Sequence, residues 1–458
     1  MTVARSAEFV NAVIKAYDVR GVVGEQIDGD FVGDVGASFA RLMRGEGATR
    51  IVIGHDMRES SPGLAAAFAQ GVRAQGLDVT HIGLSSTDQL YFASGHLACP
   101  GAMFTASHNP ARYNGIKLCR ANALPVGQDT GLATIKAEIV DGVPGFDGPQ
   151  GTETTVDLLP DYAKFLHGLV DLTGIRELTV AVDAGNGMGG YTVPAVLGGL
   201  PRLKVVPLYF ELDGSFPNHE ANPLDPKNLV DLQRLVVESG ADIGLAFDGD
   251  ADRCFVVDEK GDPVSPSAIT ALVAERELIK EPGATIIHNL ITSRAVPELV
   301  AELGGTPVRT RVGHSFIKQE MAATGAVFGG EHSAHYYFRD FWGADSGMLA
   351  ALHVLAALGE KDRPMSELGS SYATYASSGE INSTVADAKE RTMAVLKNFE
   401  GRALSVDRLD GVTVQLPDDA WFNLRASNTE PLLRLNVEAR TSEDVDVLVT
   451  EILSIVRS

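Results

Sequence analysis

The sequence is poor in cysteine, tryptophan and positive charge, and it has no long apolar run. Its three cysteines, Cys99, Cys119 and Cys254, are odd in number. Their spacing matches neither a disulfide framework nor a zinc site. Each lies near a predicted strand and reads as a buried free thiol. No stretch approaches the ~20 apolar residues of a membrane span. The N-terminus lacks the apolar centre of a signal peptide. A cytoplasmic protein with no membrane partner is the expectation. Lysine and arginine total 38 against 60 acidic residues, for a formal net charge of −22. That balance argues against nucleic acid and anionic membranes as partners. An anionic substrate would need a local basic pocket. What the chain does have is length: 458 residues, 45% of them hydrophobic, enough for about three or four domains.

One stretch organises the rest. Asp248, Asp250 and Asp252 alternate with the small residues Gly249 and Ala251, and Arg253 follows. The apolar run Ala241 to Phe247 before them reads as a buried strand ending in this loop. Three clustered carboxylates repel one another unless a cation joins them. Oxygen-only ligands suit Mg²⁺, which leaves room for a phosphate oxygen. The bland reading is an acidic surface turn. A calcium loop of the EF-hand type is excluded, because its downstream glutamate is missing.

Three short apolar strands are predicted to start at the pairs Gly101-Ala102, Gly240-Ala241 and Gly325-Ala326 and to run to Phe104, Phe247 and Phe328. Each empties into a polar loop, holding Ser107, Asp248 or Glu331. Another strand precedes each one, roughly 40 to 60 residues earlier. Such α/β units with parallel strands present their loops at the carboxyl edge, where open sheets bind ligands. A stretch rich in Gly, Pro, Asp and Thr, from Asp141 to Thr155, reads as a linker. From about Ser366 the chain carries helices and strands with no matching unit. The expected domains are residues 1–152, 153–255, 256–366 and 367–458.

Several loops carry candidate chemistry. Ser107 sits in Thr105-Ala106-Ser107-His108-Asn109-Pro110 without the Gly-x-Ser-x-Gly elbow of hydrolases. Alone it reads as a turn serine; beside the acidic loop it becomes a phosphate carrier. His108 is its chain neighbour and need not face the same way. Arg20, before Gly21, reads equally as a phosphate ligand or a surface ion pair. Lys117 is a candidate for orienting a hydroxyl or aiding proton transfer. In Gly330-Glu331-His332-Ser333-Ala334-His335, Glu331 and Ser333 alternate and are expected to face one side, toward vicinal hydroxyls. His335 suits acid/base work or phosphate neutralisation. His314, after Gly313, is a further candidate. Arg425-Ala426-Ser427-Asn428-Thr429 combines one cation with three short hydrogen-bonding side chains, either a dianion cradle or a plain turn. Arg434 points away from the apolar face of its strand.

A competing motif is Gly185-Asn186-Gly187-Met188-Gly189-Gly190, which follows a strand and precedes Glu211. It satisfies the dinucleotide fingerprint of an NAD-dependent dehydrogenase. Pro194 interrupts the helix that should follow, and this reading leaves the acidic triplet unexplained. The glycines are expected to serve a tight turn against a neighbouring domain.

Taken together, the opening Tyr17 to Gly21, Thr105 to Pro110, Asp248 to Arg253, Gly330 to His335 and Arg425 to Thr429 resemble the α-D-phosphohexomutase family along the whole chain. The resemblance implies three similar α/β units with mixed, mostly parallel sheets and a C-terminal α+β domain around a central cleft. It implies a phosphoserine at Ser107, with Mg²⁺ on Ser107, Asp248, Asp250 and Asp252. Tyr17, Arg253 and His314 would join the substrate site. Glu331 and Ser333 would hold the sugar. Arg425, Ser427, Asn428 and Thr429 would hold the phosphate that is not transferred. Ser107, Lys117, Arg20 and His335 form the expected catalytic set. The implied reaction interconverts mannose 6-phosphate and mannose 1-phosphate through a hexose 1,6-bisphosphate, which also serves as activator. The glucose phosphates are an alternative substrate, and a monomer or homodimer is expected. The sugar loop departs from the Gly-Glu-Met-Ser-Gly-His of dual-specificity members at His332 and Ala334. Ile291 stands where some relatives carry a substrate-binding lysine. A silent sugar-phosphate scaffold is a third reading, against which the intact serine and aspartate loops count.

Overall fold

Local signals set most element boundaries. The helix Gly29–Gly45 starts where Asp28 accepts the Phe31 N–H at 2.7 Å. Ser86 and Ser346 cap the helices Thr87–His96 and Gly347–Gly359 in the same way. Such caps satisfy amide groups that the first helical turn leaves open. The structure, a computed structural model, describes residues 5–426 and 432–458. No helix among the described residues is long and apolar enough to cross a membrane.

In chain order the strands are β1 Val19–Val22, β2 Arg50–His55, β3 Asp78–Leu84, β4 Gly101–Phe104, β5 Tyr113–Cys119, β6 Glu153–Thr155, β7 Leu178–Asp183, β8 Leu203–Leu208, β9 Ile243–Phe247, β10 Cys254–Asp258, β11 Pro263–Val264, β12 Thr285–Asn289, β13 Thr306–Thr310, β14 Phe328–Gly330, β15 Tyr336–Phe338, β16 Ala344–Asp345, β17 Ala376–Thr384, β18 Ser405–Asp407, β19 Val412–Gln415, β20 Trp421–Ala426 and β21 Leu432–Ala439. The chain divides into two compact units. One holds residues 1–264 and 333–366; the other holds 265–332 and 367–458.

The first unit contains two mixed sheets. Their orders are β1-β5-β4-β2-β3-β6 and β11-β10-β9-β7-β8. β4 is parallel to β2 and antiparallel to β5. β9 stands in the same relation to β7 and β10. The serine loop follows β4 and the acidic loop follows β9, so each leaves the carboxyl end of an equivalent strand. Helices Gly29–Gly45 and Ser61–Ala74 pack backbone to backbone; a Cβ on Gly71 would stand 2.1 Å from the Gly33 carbonyl. Phe31, Phe39, Phe68 and Phe104 fill the core beneath them. The helix Gly347–Gly359 is buried along its whole length, as its continuous apolar composition requires. β15 and β16 pair antiparallel ahead of it.

In the second unit β12 lies parallel to β13 and β14. Strands β17 to β21 form a separate antiparallel sheet in the order β17-β21-β20-β19-β18. Phe399, Phe422 and Ile452 are central to its core.

Three expectations change. β6 pairs with β3, so the end of the expected linker is an edge strand and the first domain runs past residue 152. The boundary expected at 255/256 cuts β10, which pairs with β9 along its length. The Gly-Ala pairs also differ in role. Gly101 lies within β4, but Gly240 and Gly325 are helix C-caps at φ 62° and 67°. Their strands begin about one turn later, because the glycine ends a helix rather than starting a strand.

Candidate active site

The polypeptide leaves β4 and turns sharply at Ser107, whose φ is 48°. A non-glycine residue there is strained and must be held by its surroundings. Thr105 Oγ1 accepts the Ser107 N–H at 2.8 Å. Ser107 Oγ donates to Asp248 Oδ2 at 2.9 Å and lies 3.2 Å from His108 Nδ1. The adjacent histidine therefore does face the serine, because the left-handed turn brings consecutive side chains together.

Asp248, Asp250 and Asp252 are fully buried. One oxygen from each lies within 4.8 Å of the others, which is the geometry of a shared cation site. Asp250 Oδ1 and Asp252 Oδ1 are buried without hydrogen-bond partners. Unmatched carboxylate oxygens converging in this way fit a hard, oxygen-ligated cation. Burial, together with repulsion from Asp250 and Asp252, pushes the Asp248 carboxyl up to about 7, against the attraction of Arg253. Burial also works against ionisation of Asp250, but the Lys117 ammonium and the Thr87 hydroxyl outweigh it and hold that carboxyl below its ordinary value.

The surrounding side chains come from distant strands. Antiparallel pairing places Lys117 opposite Met103. Lys117 Nζ reaches Asp250 Oδ2 at 2.7 Å and Asp252 Oδ2 at 2.5 Å. Arg253 Nε donates to Asp248 Oδ2 at 2.9 Å, and Arg253 Nη2 is buried without a partner. His335 Nε2 is 3.8 Å from Asp252 Oδ1, and its Nδ1 is 3.1 Å from Ser333 Oγ. Arg20 is drawn into the serine loop. Its Nη1 donates to the Ala106 carbonyl at 2.8 Å and to Asn109 Oδ1, and its Nη2 pairs with Asp18 at 2.6 Å. That leaves only its Nε unpartnered. Its ion pair with Asp18 is thus part of the serine loop's packing rather than an isolated surface contact. Tyr17 is half-buried two residues before β1 closes on β5.

Three residues around this cluster were not singled out from the sequence. Thr87 donates to Asp250 Oδ2 at 2.5 Å and its N–H to the Asp250 carbonyl at 3.0 Å. Gly249 backs the serine; a Cβ there would stand 2.4 Å from the Ser107 carbonyl. Arg58, buried behind the loop, donates to the Ser107 carbonyl at 2.9 Å. The one available signal for Arg58 was its place just past the carboxyl end of β2.

The glycine fingerprint also resolves. The helix Gly189–Val196 forms despite Pro194 inside it. Gly187 packs against Gly249, and Gly190 against the Phe210 carbonyl. These glycines therefore give close approach within their own domain rather than against a neighbouring one.

In the second unit, Glu331 is buried; its Oε1 accepts from Asn289 Nδ2 at 3.1 Å and from the Gly313 N–H at 3.3 Å. Residues 332–334 form a turn and bend, with Ala334 at φ 64°, and His335 makes an antiparallel bridge to Arg253. Strand alternation therefore gives no guide to where Glu331 and Ser333 point. His332 Nδ1 lies 3.4 Å from Ser267 Oγ. His332 and Ile291 both line a cavity of about 50 Å³. Arg425 and Arg434 face each other across β20 and β21 and share Glu380, at 3.3 and 3.2 Å. Glu380 was not foreseen either. Ser427, Asn428 and Thr429 lie outside the described residues, as does the side chain of His314, whose backbone opens the helix His314–Thr324.

Known proteins match this chain over nearly its whole length. Four family descriptions match in order: phosphoglucomutase/phosphomannomutase alpha/beta/alpha domain I over residues 11–142, domain II over 160–261, domain III over 265–375 and the C-terminal domain over 380–455. A phosphomannomutase of Escherichia coli K12 is 41% identical over 435 residues, covering 93% of this chain and 94% of that protein. A Xanthomonas campestris protein named for phosphohexose mutases is 40% identical, with the same coverages of 93% and 94%. A Burkholderia thailandensis structure, described as a phosphoglucomutase/phosphomannomutase family protein, superposes with a TM-score of 0.88 at 33% identity. It covers 97% of this chain and 98% of that one.

Proposed function

We propose a specific reaction for this chain, from the premise that it belongs to the α-D-phosphohexomutase family and is an enzyme, an isomerase-type phosphotransferase of hexose phosphates. The reaction is the interconversion of mannose 6-phosphate and mannose 1-phosphate through a phosphoserine at Ser107. The mannose assignment rests on the phosphomannomutases among its relatives. The cytoplasm is the compartment we assign, consistent with the bacterial relatives and the buried free thiols.

The observation that carries the mechanism is the 2.9 Å contact between Ser107 Oγ and Asp248. It joins a nucleophile-bearing loop to a carboxylate cluster from another sheet. Asp248, Asp250, Asp252 and the Ser107 phosphate would hold Mg²⁺, which supplies neutralisation of the transferring phosphoryl charge. A sugar hydroxyl then attacks phosphorus. The bond to Ser107 Oγ breaks as the bond to the sugar oxygen forms, giving a hexose 1,6-bisphosphate. His335 takes the hydroxyl proton, and Ser107 Oγ leaves as an alkoxide that takes up one proton from solvent to restore the serine hydroxyl. Lys117 stands beside the carboxylates, where its charge offsets that of the phosphoryl group. Arg253 Nη2 is free to meet a phosphoryl oxygen. Arg20 holds the serine loop rather than moving a proton. Glu331 and Ser333 are assigned to the sugar hydroxyls. Arg425, Ser427, Asn428 and Thr429 are assigned to the phosphate that stays in place. One transfer centre and one anion clamp require the bisphosphate to turn end for end before it returns its other phosphoryl group to Ser107.

The test is intact-protein mass with activity. Ser107 should carry one phosphoryl group, and Ser107→Ala should lose both the added mass and nearly all turnover. Chelation of divalent cation should stop turnover reversibly. An alanine variant with wild-type activity would exclude the mechanism. Mannose, glucose and glucosamine phosphates compared with a trace of bisphosphate would settle the sugar.

A further inference from the structure

We infer that Arg58 is a positioning residue for phosphoryl transfer, acting as the template that fixes the direction of Ser107. This rests on the reading of Ser107 as the phosphoryl carrier. A guanidinium has five N–H donors in a rigid plane, and the structure uses all five. Nη2 donates to the carbonyls of Ser107 at 2.9 Å and Asn109 at 2.7 Å. Nη1 donates to those of Pro110 at 3.1 Å and Tyr113 at 3.2 Å. Nε donates to Asp56 Oδ2 at 3.2 Å. Four of the five therefore go to the main chain of the one loop that carries the nucleophile.

A simpler reading is that Arg58 only neutralises buried Asp56. The geometry argues otherwise. Asp56 already accepts the Arg58 N–H at 3.0 Å and the Ser61 hydroxyl at 2.6 Å. It takes a single guanidinium N–H. A counter-ion alone would not need its remaining donors aimed at four carbonyls between Ser107 and Tyr113. The loop needs them, because Ser107 sits at φ 48°, a conformation that its own sequence does not favour.

Arg58 is itself gripped from the second sheet's domain. The Phe216 ring lies 5.0 Å from its guanidinium carbon. A Cβ on Gly214 would stand 2.6 Å from the Arg58 Cα. The residue thus reads the placement of the 213–216 loop and passes it to the serine. The carboxylates belong to that same second domain, so the link keeps nucleophile and acidic loop in register.

Lysine keeps the charge but presents one ammonium, which cannot span four carbonyls. The experiment compares full-length wild type, Arg58→Lys and Phe216→Leu. It measures melting, kcat, KM and the rate at which hexose 1,6-bisphosphate phosphorylates Ser107, read by quenched-flow intact mass. In Arg58→Lys we expect kcat and the phosphorylation rate to fall together by about 100-fold, the scale of an ångström of misplacement. KM should stay within about threefold, since the sugar and anion contacts are untouched. Phe216→Leu keeps every Arg58 donor and should lose about tenfold in the same two rates. Wild-type phosphorylation rates in Arg58→Lys, whatever its melting temperature, would overturn the inference. If Arg58→Lys does not fold, Phe216→Leu decides alone: unchanged rates overturn the inference, and a rate loss at constant KM upholds it. A wild-type enzyme with neither mutase activity nor a phosphate on Ser107 would instead sink the parent reading.

Discussion

Gly249→Ala is the most direct probe of how closely the serine and the acidic loop must fit. The added Cβ would stand 2.4 Å from the Ser107 carbonyl oxygen and 3.2 Å from its carbon. A normal contact to that oxygen needs roughly 1 Å more. Gly249 does not have a positive φ, so alanine meets no conformational objection and the whole effect is steric. Neither side can yield easily. The Ser107 carbonyl is held by Arg58, and Asp250 next to Gly249 is held by Thr87 and Lys117. An opening of about 1 Å would stretch the 2.9 Å bond between Ser107 and Asp248 beyond hydrogen-bonding range. Overpacking of this kind costs about 1–3 kcal/mol of stability. A displacement of that size at a reacting centre costs about 100-fold in rate, or ~2.7 kcal/mol of activation energy. A coupled mutase assay with a thermal melt measures both. Activity within threefold of wild type at an unchanged melting temperature would refute the reasoning.

Two further predictions follow from other parts of the fold. Asp88 is buried and pushed up to about 6 from 3.8, chiefly by burial and against hydrogen bonds from Ser86, Ser346 and Tyr162. The folded state therefore binds this proton more tightly than the unfolded state. Stability gains as pH falls from about 6 toward 4 and loses as it rises, by up to ~3 kcal/mol. The melting difference between wild type and Asp88→Asn should shift in favour of wild type as pH falls through that window; a difference independent of pH would contradict it. Gly240→Ala and Gly325→Ala each place a Cβ in open space at φ 62° and 67°. Each should cost about 1 kcal/mol through backbone strain alone, with mutase activity intact; a variant more stable than wild type in chemical denaturation would show that these caps do not govern the helix ends.

Much of the fold was legible because its signals are local. The strand Gly101–Phe104 and the buried strand that ends at Phe247 both follow from short apolar runs in front of polar loops. The convergence of Ser107 with the acidic loop was also foreseen, from the place of both at the ends of similar strands. Misreadings arose where local cues are ambiguous. Gly-Ala before an apolar run marks a strand start at Gly101 but a helix end at Gly240 and Gly325. Glu331 and Ser333 alternate in sequence, but the chain turns at His332 and Ser333, so alternation does not set where the two side chains point.

By itself, then, the amino-acid order determined the three α/β units, the distinct last domain, the carboxylate triplet and the serine that faces it. Those depend on hydrophobic period, caps and residue type, all written within a few positions of chain. Only the tertiary structure decided that Arg58 shapes the serine turn, that Arg20 is consumed by the same loop, and that Gly249 must lack a side chain. Each of these depends on a contact between residues 49 to more than 100 positions apart. Which donor meets which carbonyl across such a distance is settled by strand order and register, and no short stretch of sequence contains it.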